Sequence, residues 1–157
     1  PHALALSGAG LLADVAVAQR ERPLLVGPAA ESAQWIETAA QRHGLDAVVC
    51  TKIRHGDREV DIALPEDARV AGRAVVLLDD VASSGRTLAR AAERLLAAGA
   101  ASVDVAVTHA LFAGDALEVI RAAGVGEVWS TDCIAHPSNA VQIAPMLAEA
   151  LREVLAD

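Results

Sequence analysis

Apolar residues along this chain fall into short runs alternating with helical stripes. Leu11, Leu12, Val15 and Ala18 recur on one side of a helix predicted over residues 7–20. The compact run Pro23-Leu24-Leu25-Val26-Gly27 then reads as a buried strand, ended by Gly27 and Pro28. Trp35, Ile36, Ala39, Ala40 and His43 return at helical spacing, and Gly44 supplies a stop. Residues 47–50 form the next strand. Val60, Ile62 and Leu64 alternate with polar neighbours, as in a half-exposed strand that Pro65 breaks. Residues 74–78 form the central strand, followed by a helix with Leu88, Ala92, Leu95 and Ala98 inward and Gly99 after it. Val103, Val105 and Val107 alternate as another strand. A helix near residues 115–123, a strand at Val128-Trp129 and a last helix over 144–155 complete the order. In that last helix Leu147, Ala150, Leu151, Val154 and Leu155 make a stripe.

Strands alternating with helices imply a mainly parallel sheet with helices on both faces, a Rossmann-like α/β fold. The 157 residues fit one domain, uninterrupted by a repeat or linker. An apolar fraction of 54% provides the core, and no apolar run approaches the roughly 20 residues that span a bilayer. With 13 basic and 21 acidic residues, the net charge of −8 disfavours nucleic acid and anionic membranes as partners. An anionic substrate must then meet a local cluster of donors. Cys50 and Cys133 lie far apart without metal-ligand spacing and read as core or near-core thiols of a reduced compartment.

The chemistry concentrates where the central strand ends, in Asp79-Asp80-Val81-Ala82-Ser83-Ser84-Gly85-Arg86-Thr87. A buried strand delivers Asp79 and Asp80 to its carboxyl end, where open α/β sheets bind ligands. Side chains alternate along a strand, so one carboxylate faces ligand while the other supports the loop. Ser83, Ser84, Gly85 and Thr87 then form a turn that opens a helix, aiming N–H groups and hydroxyls at an anion. An ordinary helix cap explains the same residues. Arg86 reads either as a surface arginine or as a phosphate contact. Carboxylates suited to sugar hydroxyls beside a phosphate cradle describe a ribose-5-phosphate site. Lys52, the only lysine, and Arg54 open a charged stretch, read as a solvated hairpin or as a mobile arm that closes over transferring phosphoryl groups. His109, at a strand end, reads as structural before catalytic.

The 79–87 segment resembles the 5-phosphoribosyl-1-pyrophosphate (PRPP) signature of type I phosphoribosyltransferases and ribose-phosphate pyrophosphokinases. Lys52-Ile53-Arg54, the run Thr108-His109-Ala110-Leu111-Phe112-Ala113-Gly114, Ser130-Thr131-Asp132-Cys133-Ile134 and Ala144-Pro145-Met146-Leu147-Ala148-Glu149-Ala150 resemble the pyrophosphokinases in particular. The resemblance implies a single type I phosphoribosyltransferase-like domain over residues 1–157, the carboxyl-terminal half of a two-domain enzyme. It implies that ATP and ribose-5-phosphate give AMP and PRPP with Mg²⁺ in the cytoplasm, in a homo-oligomer. Lys52 and Arg54 would be catalytic. Asp79 and Asp80 would hold the ribose, and Ser83, Ser84, Gly85, Arg86 and Thr87 would hold the 5-phosphate. A PRPP-consuming phosphoribosyltransferase and a non-catalytic subunit of the same fold are the alternatives. One departure stands out: in Gly27-Pro28-Ala29-Ala30-Glu31-Ser32 the family pattern carries an aspartate where this chain has Ala29. Thr131 and Asp132 are further cleft candidates by the same resemblance.

Overall fold

The computed structural model describes residues 3–55 and 59–156, the side chains of residues 54, 55, 59 and 60 excepted. Six strands form one sheet: β1 (Leu24–Gly27), β2 (Ala47–Val49), β5 (Ala74–Ala82), β6 (Ser102–Ala110), β7 (Val128–Thr131) and β8 (Asn139–Val141). Their order is β2-β1-β5-β6-β7-β8, and every neighbouring pair is parallel. A separate antiparallel hairpin pairs β3 (Thr51–His55) with β4 (Glu59–Ala63). Among the described residues five α-helices accompany them: α1 (Ala9–Gln19), α2 (Ala33–Gln41), α3 (Arg86–Ala97), α4 (Ala116–Ala122) and α5 (Ala144–Ala156).

The period of two along each strand sorts the core into two layers. Leu24, Val26, Val75, Leu77, Val103, Val105 and Val107 face α3 and α4, meeting Leu88, Ala92, Leu95 and Ile120. Leu25, Val76, Leu78 and Ala106 point the other way, onto Leu12, Ala13 and Ala16 of α1 and Ile36, Ala39 and Ala40 of α2. A parallel sheet covered on both faces is the expected Rossmann-like arrangement. The helix after β1 and the helix after β5 lie on opposite faces, so the crevice between these adjacent strands is a topological switch point.

One buried charge ties α1 to the sheet. Asp104, fully buried on β6, accepts from Arg20 Nε at 2.7 Å and Nη2 at 3.0 Å, and from the Glu127 backbone N–H at 2.9 Å. The Arg20 guanidinium also lies 5.5 Å from the Trp129 ring centroid, a cation–π contact.

Four differences from the sequence pattern have physical causes. β5 does not stop at Leu78; it runs through both carboxylates to Ala82, because β6 continues beside it in register, Asp79 against Val107 and Ala82 against Ala110. β3 and β8 are additional strands, too short and polar to stand out as apolar runs. Ala98 is exposed at the end of α3, where Gly99 at φ 89° turns the chain away. The α5 stripe does not enter the core: Leu147, Leu151 and Leu155 are 42%, 58% and 81% exposed, and no residue of that helix is buried. No helix among the described residues is long and apolar enough to cross a membrane.

Candidate functional site

Asp79 and Asp80 sit at the carboxyl end of β5, flanked by Thr108 and His109 of β6. With Leu6, Ser7, Gly8, Ala9 and Trp35 they line a cleft of about 280 Å³. Asp79 is half-buried and Asp80 exposed. The Asp80 backbone N–H donates to Asp79 Oδ1 at 3.0 Å, and the Val81 N–H donates to Asp80 Oδ1 at 2.8 Å. Each carboxylate thereby folds back along its own strand, and both line the cleft rather than one alone. The sequence placed them just past a strand; they lie within β5, three and two residues before its end at Ala82.

Burial pushes the Asp79 carboxyl up to about 6, reinforced by the adjacent Asp80 and opposed by the Asp80 amide and by the Lys52 ammonium. Two acidic side chains this close, one desolvated, favour anything that brings positive charge or hydrogen-bond donors. Mg²⁺ fits such a pair, because it takes one or two protein carboxylates and completes its shell with water and phosphate oxygens. Among the described residues no group of three or more His, Cys, Asp or Glu side chains could form a protein cage for a metal.

Beyond the carboxylates the chain makes a turn into α3. Gly85 holds φ 71°, and a Cβ there would lie 2.9 Å from both the Ala116 carbonyl and Ile120 on α4. Glycine is therefore fixed twice, by its left-handed backbone and by close helix packing. That second reason was not legible in the sequence, which suggested close approach to an anion instead. No side chain caps the start of α3, leaving the first N–H groups of the helix for an outside acceptor. Ser83, Ser84 and Arg86 are exposed and Thr87 is half-buried. Residues 83–87 follow the acidic pair after Val81 and Ala82 but do not themselves line the 280 Å³ cleft.

Lys52 and Arg54 lie on β3, opposite Ile62 and Val60 of β4. The hairpin is rooted on α3 by buried Ile62 and by an ion pair between Asp61 and Arg94. Lys52 is exposed, yet near enough to Asp79 to lower its pKa. The Arg54 side chain and residues 56–58 lie outside the described residues.

Ala29 is buried, and its carbonyl accepts from the Ser32 hydroxyl at 2.5 Å and the Ser32 N–H at 3.0 Å. This loop after β1 is closed on itself and presents no carboxylate at position 29. Thr131 donates its hydroxyl proton to the Thr108 carbonyl at 2.7 Å, and Asp132 accepts from the Ile143 N–H at 2.8 Å. Both side chains serve loop structure, and neither lines the cleft. Cys50 is buried, and burial pushes its thiol up to about 11, so it is inert.

The structure adds walls that sequence reasoning missed. Trp35, placed by its periodicity in a core stripe, is half-buried and borders the acidic pair. Leu6, Ser7, Ala9 and Trp35 also border a larger cavity of about 510 Å³ between α1 and α2, which contains no carboxylate. The only sequence signal was the size of Trp35 in an alanine-rich helix.

Residues 2–126 match the phosphoribosyl transferase domain family. The chain belongs to that family. Among curated relatives, it is 37% identical over 128 residues to ribose-phosphate pyrophosphokinase 1 of Archaeoglobus fulgidus, covering 81% of this chain and 44% of that protein. It is 31% identical over 153 residues to the ribose-phosphate pyrophosphokinase of Methanosarcina acetivorans, covering 97% of this chain and 54% of that protein. The chain thus spans about half the length of the curated relatives it matches. Among solved structures, phosphoribosylpyrophosphate synthetase from Mycobacterium smegmatis superposes with a TM-score of 0.71 at 25% identity, over 95% of this chain and 51% of that one. Orotate phosphoribosyltransferase from Aeropyrum pernix shares the fold at a TM-score of 0.59 and 21% identity, over 89% of this chain and 74% of that one.

Proposed function

We propose that this domain binds ribose-5-phosphate and forms one half of a ribose-phosphate pyrophosphokinase. The observation that carries this reading is the junction at the end of β5: two cleft-lining carboxylates lead into a turn at the uncapped start of α3. Asp79 and Asp80 accept hydrogen bonds from the ribose hydroxyls. Ser83, Ser84, Gly85, Arg86 and Thr87 surround the 5-phosphate, whose charge is favoured by the helix N-terminus. The relatives named ribose-phosphate pyrophosphokinase support the choice among enzymes that use such a site.

In the complete enzyme the sugar's anomeric hydroxyl attacks the β-phosphorus of ATP. The bond between the β-phosphorus and the α,β-bridging oxygen breaks, AMP leaves, and the hydroxyl proton passes to solvent. Positioning and charge stabilisation dominate such a transfer. Lys52 and Arg54, on the β3–β4 hairpin, lay positive charge on the oxygens of the transferring group. Asp79 and Asp80 are the residues that would hold Mg²⁺, which would supply neutralisation of phosphate charge. Use of ATP fits a cytoplasmic enzyme.

Ala29 favours a second reading, a subunit that binds sugar phosphate without turnover, since the loop after β1 offers no carboxylate there. Calorimetric titration of the domain with ribose-5-phosphate, paired with AMP release by the full-length protein, tests both. Saturable binding with AMP release supports the pyrophosphokinase, and binding without release supports the silent subunit. Absence of binding removes both.

A further inference from the structure

Loops at the carboxyl edge of the sheet are tied together through one strained residue. Phe112, just after β6, holds φ 36°, a left-handed conformation that penalises any residue with a Cβ. Its N–H donates to the Ala82 carbonyl at 2.8 Å, and the Ala113 N–H donates to the Ser83 carbonyl at 3.0 Å. Those two acceptors lead into the turn of residues 83–87. Further along, Gly85 packs against Ala116 and Ile120 of α4. The turn is therefore held on one side by the segment that begins at Phe112.

The Phe112 ring lies partly against the core, with its centroid 4.9 Å from that of the His136 ring and a tilt of 46°. His136 is itself fixed. Its Nδ1 lies 2.7 Å from the Ser138 hydroxyl and 3.1 Å from the Ser138 N–H, and its own N–H donates to Asn139 Oδ1 at 3.0 Å. Asn139 Nδ2 in turn donates to the Ser130 hydroxyl and to the Thr131 and Ile134 carbonyls. Contacts thus run from the loop after β7, through two rings, to the loop after β6, and then by backbone amides to the turn after β5. A glycine at position 112 would take the same backbone angles freely. Phenylalanine keeps the strain and adds the ring contact, and such strain persists where its surroundings over-determine it, often at ligand sites.

We propose that Phe112 and His136 are positioning residues: their ring contact fixes the 112–113 amides, which set the 83–87 turn in the geometry that receives the 5-phosphate. The ligand rests on the ribose-5-phosphate reading above; the mechanical tie does not. Neither side chain touches the reacting atoms.

Hydrogen exchange on the unliganded domain separates these parts, comparing Phe112→Gly, Phe112→Tyr and His136→Ala with the parent. Phe112→Gly and His136→Ala are expected to speed exchange in peptides covering residues 83–88, while Phe112→Tyr, which keeps the ring, leaves it unchanged. Calorimetry should show ribose-5-phosphate binding weakened about tenfold in the first two variants and unchanged in the tyrosine variant. His136→Ala leaves the strained backbone untouched, so it decides the matter even where Phe112→Gly unfolds. Unchanged exchange in the turn overturns the proposal. So does faster exchange spread over the whole sheet, which marks a ring that only supports the core, or faster local exchange with parental affinity. A parent that exchanges as expected but binds no ribose-5-phosphate contradicts the ligand reading and leaves the tie standing.

Discussion

Asp79 carries the clearest electrostatic consequence at the scale of single residues. Its carboxyl is raised from 3.8 to about 6, chiefly by burial. Between those values the unfolded chain has lost the proton while the folded chain still holds it. Stability must therefore fall as pH rises from about 4 to 6, by about 1–2 kcal/mol after allowance for the solvent that still reaches the group. Asp79→Asn removes this titration. Thermal unfolding of both proteins across pH 4–8 should show the variant gaining on the parent through that window, and parallel curves would contradict the assignment. Gly85 shows how sequence and structure divide the information at this scale. The sequence marks a glycine at a turn before a helix, which is where positive φ is expected. It does not mark the contact with Ile120, because that depends on where α4 docks. Arg20 and Asp104 were silent for the same reason: 84 positions separate them, and only the register of β6 beside α1 makes them partners.

At the scale of elements, the strands and helices with strong periodicity were legible and the polar ones were not. The β3–β4 hairpin illustrates this. Its alternation survives in Val60 and Ile62, but Thr51–His55 carries Lys52, Arg54 and His55 and resembles a charged loop. Pairing across the hairpin, not local propensity, makes it a strand. The same pairing sets Lys52 where its ammonium acts on Asp79 while the side chain remains exposed. In the proposed reaction a cation placed in this way would stabilise charge that develops during transfer more than it would hold the sugar. If the chain forms half of a pyrophosphokinase, as proposed, Lys52→Ala in the complete enzyme should lower kcat about a hundredfold while ribose-5-phosphate affinity changes by no more than about twofold. Steady-state rates together with calorimetry check it. An affinity loss as large as the rate loss would make Lys52 a binding residue instead.

At the scale of the whole molecule, the alternation of strand and helix was enough to read a parallel α/β sheet, because covering both faces requires apolar residues on successive positions. Distribution between buried and exposed helices was less legible. The α5 stripe has the spacing of a core helix, yet the buried residues of β1, β5, β6 and β7 are already covered by α1, α2, α3 and α4, and Leu147, Leu151 and Leu155 remain exposed. Leu151→Glu should therefore change the stability of this domain by less than about 0.5 kcal/mol, measured by denaturant unfolding. A loss of several kcal/mol would mean that the helix packs against the core after all. The candidate site was legible where one continuous segment carries it, from Asp79 to Thr87. Its other walls, Leu6 to Ala9 and Trp35, come from distant parts of the chain that the topology gathers at the end of β5.

The central claim is that a sugar phosphate sits with its carbohydrate ring at Asp79 and Asp80 and its phosphate against the start of α3. Backbone amide resonances followed by NMR during titration with ribose-5-phosphate test this most directly. Saturable shifts concentrated in residues 79–88, reduced in Asp79→Asn, are the predicted result. Shifts confined to other parts of the sheet, or none at saturating sugar phosphate, would contradict it.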